Sequence, residues 1–157
     1  MARILLAYST VDGHTRKICE HLRQRLQNDG HAVTLAALGE PMSADPGSYD
    51  KVVIGASIRY GKHRPAVYEF IRMNQSMLES RPSAFFTVNV VARKPGKDTP
   101  DTNPYLKGFR RKTTWRPALL GGESRRAGPG ACDGARIRHR QHPHQLRHAG
   151  ADRHRHQ

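Results

Sequence analysis

The chain has 157 residues and a formal net charge of +14, with 27 Lys and Arg against 13 Asp and Glu. That length builds one domain with a real core and is short for two. A pI near 10.7 points to an acidic partner (nucleic acid, anionic lipid or an acidic substrate), while two widely separated cysteines, Cys19 and Cys132, supply neither a disulfide framework nor a CxxC site.

Arg3 to Tyr8 is a short, almost wholly apolar run without alternation, the pattern of a parallel strand buried on both faces. Thr15 to Asn28 follows with Ile18, Leu22 and Leu26 spaced by four, one apolar stripe of a helix that Asp29-Gly30 stops. His31 to Leu38 reads as a second strand and Pro41 to Ser48 as a loop of turn formers. Lys51 to Ala56, with three consecutive β-branched residues, is the clearest strand of the chain. Pro65 to Leu78 fits a helix with Pro at its first position and Val67, Phe70, Ile71 and Leu78 facing inward. Ser83 to Val91 is a fourth strand, Arg93 to Pro104 a polar loop, and Tyr105 to Lys112 a further helix. Strands that alternate with crossings predict a parallel sheet covered on both sides, with ligands at the carboxyl ends of its strands.

Three loops leave that edge. Ser9-Thr10-Val11-Asp12-Gly13-His14-Thr15 sets hydroxyls around a glycine at a helix N-terminus, an arrangement suited to a phosphomonoester. It lacks the Lys of a P-loop and the glycine pattern of a dinucleotide fingerprint. An ordinary Ser/Thr helix cap carries the same residues. The second loop, Ala56-Ser57-Ile58-Arg59-Tyr60-Gly61, offers backbone amides and an aromatic face, with Arg59, Lys62, His63 and Arg64 as a cationic rim. A solvated surface turn is the plainer reading. The third, Asn89-Val90-Val91-Ala92-Arg93-Lys94, brings a carboxamide able to bond a heterocycle and further positive charge.

Tyr8-Ser9-Thr10-x-x-Gly13-x-Thr15, Val52-Val53-Ile54-Gly55-Ala56-Ser57-Ile58-Arg59-Tyr60-Gly61 and Ser83-Ala84-Phe85-Phe86-x-Val88-Asn89-x-Val91-Ala92-Arg93-Lys94-Pro95 resemble the flavodoxin-like bacterial protoporphyrinogen oxidases. The likeness runs from Ala2 to about Pro117 and is most specific in the Gly55–Gly61 stretch. It implies an α/β, flavodoxin-like three-layer sandwich around a parallel sheet. The implied activity is FMN-dependent oxidation of protoporphyrinogen IX, in haem biosynthesis, with a respiratory quinone (menaquinone or ubiquinone) as acceptor. By the same resemblance Ser9, Thr10, Asp12, Gly13, His14 and Thr15 surround the FMN phosphate. Ala56, Ser57, Ile58, Arg59, Tyr60 and Gly61 hold the isoalloxazine from one side, and Asn89, Val90, Val91, Ala92, Arg93 and Lys94 from the other. The rim then attracts the propionates of a tetrapyrrole or an anionic membrane surface, giving a cytoplasmic protein peripherally associated with the inner membrane. An electron-carrier flavodoxin and an inactive family member are the rival readings; most such carriers are acidic, and this body is basic. No side chain is singled out as a catalytic base, because the flavin carries the chemistry.

Beyond Leu120 the likeness stops. Gly121 to Gln157 holds eight Arg, no Lys, six His and three acids, and no Val, Thr, Phe, Tyr, Trp or Met. Such a composition suits a shifted reading frame from GC-rich DNA and predicts a basic, disordered tail from residue 118 behind a domain of residues 1–117. The sheet is accordingly expected in the order 2-1-3-4, its fifth strand and last helix lost. His139, His142, His144, His148, His154 and His156 offer loose metal ligands on no rigid element, so no metal centre is expected. Without aromatic residues to stack on bases, specific nucleic-acid binding by the tail is not expected either. Cys19 reads as a small packing residue, and Trp115 as packed against the domain in preference to a membrane anchor. No run of about 18 apolar residues occurs, and Arg3 to Ala7 is too short for a signal peptide.

Overall fold

Chain order gives β1 (Arg3–Ser9), α1 (His14–Asn28), β2 (Ala32–Ala37), β3 (Lys51–Arg59), β4 (Lys62–His63), α2 (Pro65–Met73), α3 (Gln75–Ser80), β5 (Ser83–Val88), α4 (Pro104–Lys112) and β6 (Leu119–Glu123). These come from a computed structural model that describes residues 1–43, 45–97 and 99–123. The main sheet runs β2-β1-β3-β5-β6, every neighbour parallel, and the two-residue β4 pairs antiparallel with the end of β3. The apolar runs become its inner strands because both faces of a parallel sheet are covered.

Alternation along the strands sorts their side chains into two layers. Leu5, Ala7, Val52, Ile54, Ala56 and Phe85 share one core with Val67, Phe70, Ile71, Leu78, Leu106, Phe109 and Trp115 from the α2, α3 and α4 side. Phe85 and Phe109 stack with centroids 4.0 Å apart, and Trp115 stands edge-on to both. Ile4 and Leu6 are buried outside that cluster, on the face where α1 packs. There Phe86 lies flat over Gly55: a Cβ on Gly55 would sit 2.3 Å from Phe86 Cζ, so only glycine admits the ring. Cys19 is buried on α1. Burial, with a smaller contribution from Glu20, pushes its thiol up to about 12, which leaves a packing residue and no reactive thiolate.

Three elements differ from the expectations. The single helix expected over Pro65–Leu78 is two, divided at Asn74, which leaves helical geometry (φ −121°) while its side chain and its N–H both donate to the Phe70 carbonyl (2.9 and 3.1 Å). The fourth strand expected to reach Val91 ends at Val88, where Asn89 bonds the backbone ahead of it. Most consequentially, the fifth strand expected to be lost is present: Ala84, Phe85, Phe86, Thr87 and Val88 pair in register with Leu119, Leu120, Gly121, Gly122 and Glu123. Trp115, fully buried, anchors the approach, and the Ala118 N–H donates to the Ser83 carbonyl (2.9 Å) just before the pairing begins. A ladder of backbone bonds needs no β-branched side chain, and the Gly-Gly pair hid it from propensity. The edge of β5 is therefore covered. Of the disordered tail expected from residue 118, residues 119–123 form β6; the rest of that reading, with the missing last helix and His139 to His156 as loose ligands, concerns residues 124–157, outside those described.

Candidate functional site

The first and second loops meet through the sheet itself. Ser9 at the end of β1 pairs with Ala56 of β3, and Ser57 pairs with Val88 of β5, so all three loops leave one edge of adjacent strands. The Ser57 hydroxyl donates to the Ser9 carbonyl (3.4 Å), and Arg64 donates to the Thr10 carbonyl (3.2 Å). Val11, Asp12, Ile58, Arg59 and Tyr60 line a shallow cleft of about 310 Å³ between the two loops.

The first loop has a defined local form. The Gly13 N–H donates to Thr10 Oγ1 (2.9 Å), Gly13 takes φ +76° as the residue before α1, and the Lys17 N–H closes the first helical turn on the Gly13 carbonyl. No side chain caps α1, so its leading N–H groups face the loop with the positive end of the helix dipole behind them. Thr15 is fully buried and Ser9 is 1% exposed. Yet neither Ser9 Oγ nor Thr15 Oγ1 has a hydrogen-bond partner among the described residues. Buried hydroxyls are ordinarily paired, so these two orphans at one helix N-terminus could donate to acceptor oxygens from outside the chain. Asp12 and His14 are exposed beside them.

The second loop is tighter than expected. Ala56, Ser57 and Ile58 are buried strand residues, and Tyr60-Gly61 alone make the turn of a hairpin. Both have positive φ, +50° and +77°, the conformation of the two-residue turn whose twist suits a β-ribbon. Tyr60 is 85% exposed, with the Arg59 guanidinium 5.1 Å above its ring. The hairpin also corrects the rim. Arg59, Lys62 and Arg64 are exposed, but His63 turns inward and is 5% exposed. Burial, then the Lys112 charge, push its pKa down to about 4, so it is a neutral core residue at neutral pH and not part of a cationic rim.

In the third loop Val90, Arg93 and Lys94 are exposed and Val91 and Ala92 half-buried, while Asn89 is 1% exposed. Its carboxamide is spent inside: Oδ1 accepts from the Ala92 N–H (2.9 Å) and from Asn103 Nδ2 (3.3 Å), and Nδ2 donates to Thr87 Oγ1 (3.4 Å). What this loop offers a ligand is its exposed backbone and side chains from Val90 onward. Sequence reasoning did not find Thr87 or Asn103; the alternation of β5 and the Asn-Pro start of α4 were the available signals.

Comparison with known proteins agrees with this architecture. Residues 5–141 match the family described as Flavodoxin domain, a span that extends beyond Leu120. Protoporphyrinogen IX dehydrogenase [quinone] of Escherichia coli strain K12 is 44% identical over 115 residues, 73% of this chain and 64% of that protein. A protein of the same description from Leishmania major is 37% identical over 120 residues, 76% of this chain and 52% of that one. The chain thus spans about 64% of the length of its bacterial relative. Among solved structures, oxidised Flavodoxin 1 of Bacillus cereus superposes with a TM-score of 0.59 at 12% identity, covering 83% of this chain and 90% of that one. Two-electron reduced Megasphaera elsdenii flavodoxin gives 0.58 at 14% identity, covering 77% and 84%. With a parallel sheet in the same fold and a family match over most of its length, the chain belongs to the flavodoxin domain family.

Proposed function

We propose that this chain is a flavoprotein oxidoreductase that holds FMN at the carboxyl edge of its sheet. Its substrate would be protoporphyrinogen IX and its electron acceptor a respiratory quinone, menaquinone or ubiquinone. The single observation that carries the cofactor is the pair of orphaned buried hydroxyls, Ser9 Oγ and Thr15 Oγ1, at the uncapped N-terminus of α1. They fit a phosphomonoester: hydroxyls and backbone N–H groups surround it, and the loop brings no P-loop lysine for a triphosphate. Substrate and acceptor rest on the relatives at 44% and 37% identity, whose descriptions name both.

Bound FMN supplies a two-electron acceptor, the redox chemistry that no side chain of this site provides. The chain's own residues do the rest. Ser9, Thr10, Gly13 and Thr15, with Asp12 and His14 beside them, hold the phosphate end. Ala56 to Gly61 and the Asn89–Lys94 segment flank the ring, with Tyr60 exposed for stacking. Arg59, Lys62, Arg64, Arg93 and Lys94 attract the two propionates of the tetrapyrrole or an anionic membrane surface, and that attraction weakens with salt. The overall conversion removes six electrons and six protons from the porphyrinogen, which reduces three quinones to quinols. The test is direct. The purified chain, loaded with FMN and freed of excess, is given protoporphyrinogen IX and a soluble quinone, and porphyrin fluorescence is followed. Turnover that falls in Arg59→Gln and Arg93→Gln supports the reading. Absence of bound flavin overturns the cofactor, and bound flavin with no porphyrin formed overturns the substrate.

A further inference from the structure

His63 is a buried polar group that the flavin reading leaves without a task. It enters the core two residues after the hairpin turn, with Phe85 and Phe109 edge-on to its ring at 5.4 and 6.1 Å. Its Nδ1 lies 3.3 Å from the Tyr68 hydroxyl and its Nε2 3.0 Å from Thr87 Oγ1. A neutral imidazole has one donor and one acceptor, which fits a place between two hydroxyls that can each give or take. Thr87 is fully buried, and its hydroxyl bonds His63 Nε2 on one side and Asn89 Nδ2 on the other.

From Thr87 the bonds run on into the third loop. Asn89 Nδ2 donates to Thr87 Oγ1, and Asn89 Oδ1 receives the Ala92 N–H and Asn103 Nδ2. Asn103 Nδ2 also donates to the Lys97 carbonyl (2.8 Å), and Asn103 Oδ1 caps α4 by accepting from the N–H groups of Tyr105 and Leu106. Two carboxamides thus pin both ends of the segment 89–97 to the body, and Thr87 with His63 orients the first of them. Every polar atom in the series is committed, which is the condition under which a buried network specifies one arrangement.

We propose that His63 is a positioning residue: through Thr87 and Asn89 it holds the segment 89–97 in shape, and so sets the surface this segment presents to the flavin. The loop-holding step stands on the hydrogen bonds alone; only the last step rests on the FMN reading. Thr87→Val removes the hydroxyl at nearly constant shape, His63→Leu removes both ring nitrogens, and His63→Gln keeps a polar group where Nε2 stood. Amide hydrogen exchange is measured on the full chain without flavin. In Thr87→Val and His63→Leu the Ala92 N–H should exchange about fivefold to tenfold faster, the weight of one hydrogen bond, while Ile54 and Phe85 are unchanged. His63→Gln should restore Ala92, and Tyr68→Phe should leave it alone. An unmoved Ala92 in the first two variants, or equal loosening of β1, β3 and β5, overturns the positioning role. FMN titrations then separate the second step. If the wild-type chain binds FMN, Thr87→Val should bind it several-fold more weakly with a shifted visible band, and identical affinity and spectrum overturn the link to the flavin. If the wild-type chain binds none, the FMN reading fails, and Ala92 exchange still decides the loop.

Discussion

Replacing Thr15 by Val should make the empty protein more stable and its grip on FMN weaker, two effects of opposite sign from one hydroxyl. Thr15 Oγ1 is fully buried with no hydrogen-bond partner among the described residues. A buried hydroxyl left unpaired costs about 1–3 kcal/mol, whereas a methyl group in its place costs little because Val and Thr share the same branched outline. The gain expected from Thr15→Val in urea or thermal unfolding of the flavin-free chain is therefore about 1 kcal/mol, which for a domain of this size raises Tm by roughly 2–6 °C. With a phosphate present the same hydroxyl donates to a charged acceptor, a bond of about 1.5–3 kcal/mol, so FMN affinity should fall by about tenfold to a hundredfold. Quenching of FMN fluorescence gives that Kd. Riboflavin, which lacks the phosphate, provides the control and should bind both proteins alike. The reasoning fails if Thr15→Val destabilises the flavin-free chain, for then the hydroxyl has an internal partner. It fails equally if the variant weakens riboflavin as much as FMN, because the hydroxyl would then act on the ring or on the fold.

Further outcomes follow from the packing. His63 has a folded pKa near 4 against 6.5 ordinarily, so its stabilising contribution is complete above about pH 6.5 and is lost as pH falls through 4. The difference converts to roughly 3 kcal/mol; denaturant melts between pH 7 and pH 4 should show a drop of that order that is absent in His63→Leu, and parallel curves would refute the burial argument. Gly55→Val drives a side chain into the Phe86 ring and should cost about 1–3 kcal/mol. Adding Phe86→Ala should recover part of that loss, and an undiminished cost in the double variant would place the strain elsewhere. Cys19, with its thiol pushed up to about 12, should resist iodoacetamide at pH 8 in the folded chain and react in urea, as mapped by peptide mass; modification in the folded state would contradict its burial.

Four strands of the sheet were legible because a parallel sheet writes itself as continuous apolar runs, while their order came with the family resemblance and left out β6. Polar alternation is not needed where both faces are dry: Ile4, Leu5 and Leu6 are all buried. The first loop stood out by its hydroxyls around a glycine before a helix, and the plainer reading of a Ser/Thr cap is not met, because no side chain caps α1. What escaped were features set by backbone pairing and by inward turns. β6 is held by ladder bonds and by Trp115 at its approach, so its Gly-Gly carried no strand signal. His63 stood among Lys62 and Arg64 and looked like one more rim charge; only the two-residue turn at Tyr60-Gly61, which fixes alternation on the returning strand, sends it inward. Asn89 looked like a ligand-facing carboxamide because a strand end is where such groups serve a ligand, yet its Oδ1 and Nδ2 are committed to Ala92, Asn103 and Thr87.

Those corrections divide the site's labour in a definite way. On the proposed reading the phosphate end is built from hydroxyls and backbone N–H groups, which would hold a dianion by direct hydrogen bonds in a buried place. The cations Arg59, Lys62, Arg64, Arg93 and Lys94 are exposed on the hairpin, just after it and on the third loop, with Arg64 also donating to the Thr10 carbonyl of the first loop. Exposed charges contribute little to holding a cofactor but act over roughly a Debye length, about 8–10 Å at ordinary salt. A chain arranged so should bind FMN with weak dependence on ionic strength and meet its anionic partner with strong dependence. Raising salt from about 50 to 500 mM should therefore leave the FMN Kd within about threefold while slowing porphyrinogen turnover at low substrate several-fold, because five charges on one edge are screened together. Turnover that ignores salt would assign the rim to solvation alone, and an FMN Kd that collapses with salt would mean that the cations, and not Ser9 and Thr15, hold the phosphate.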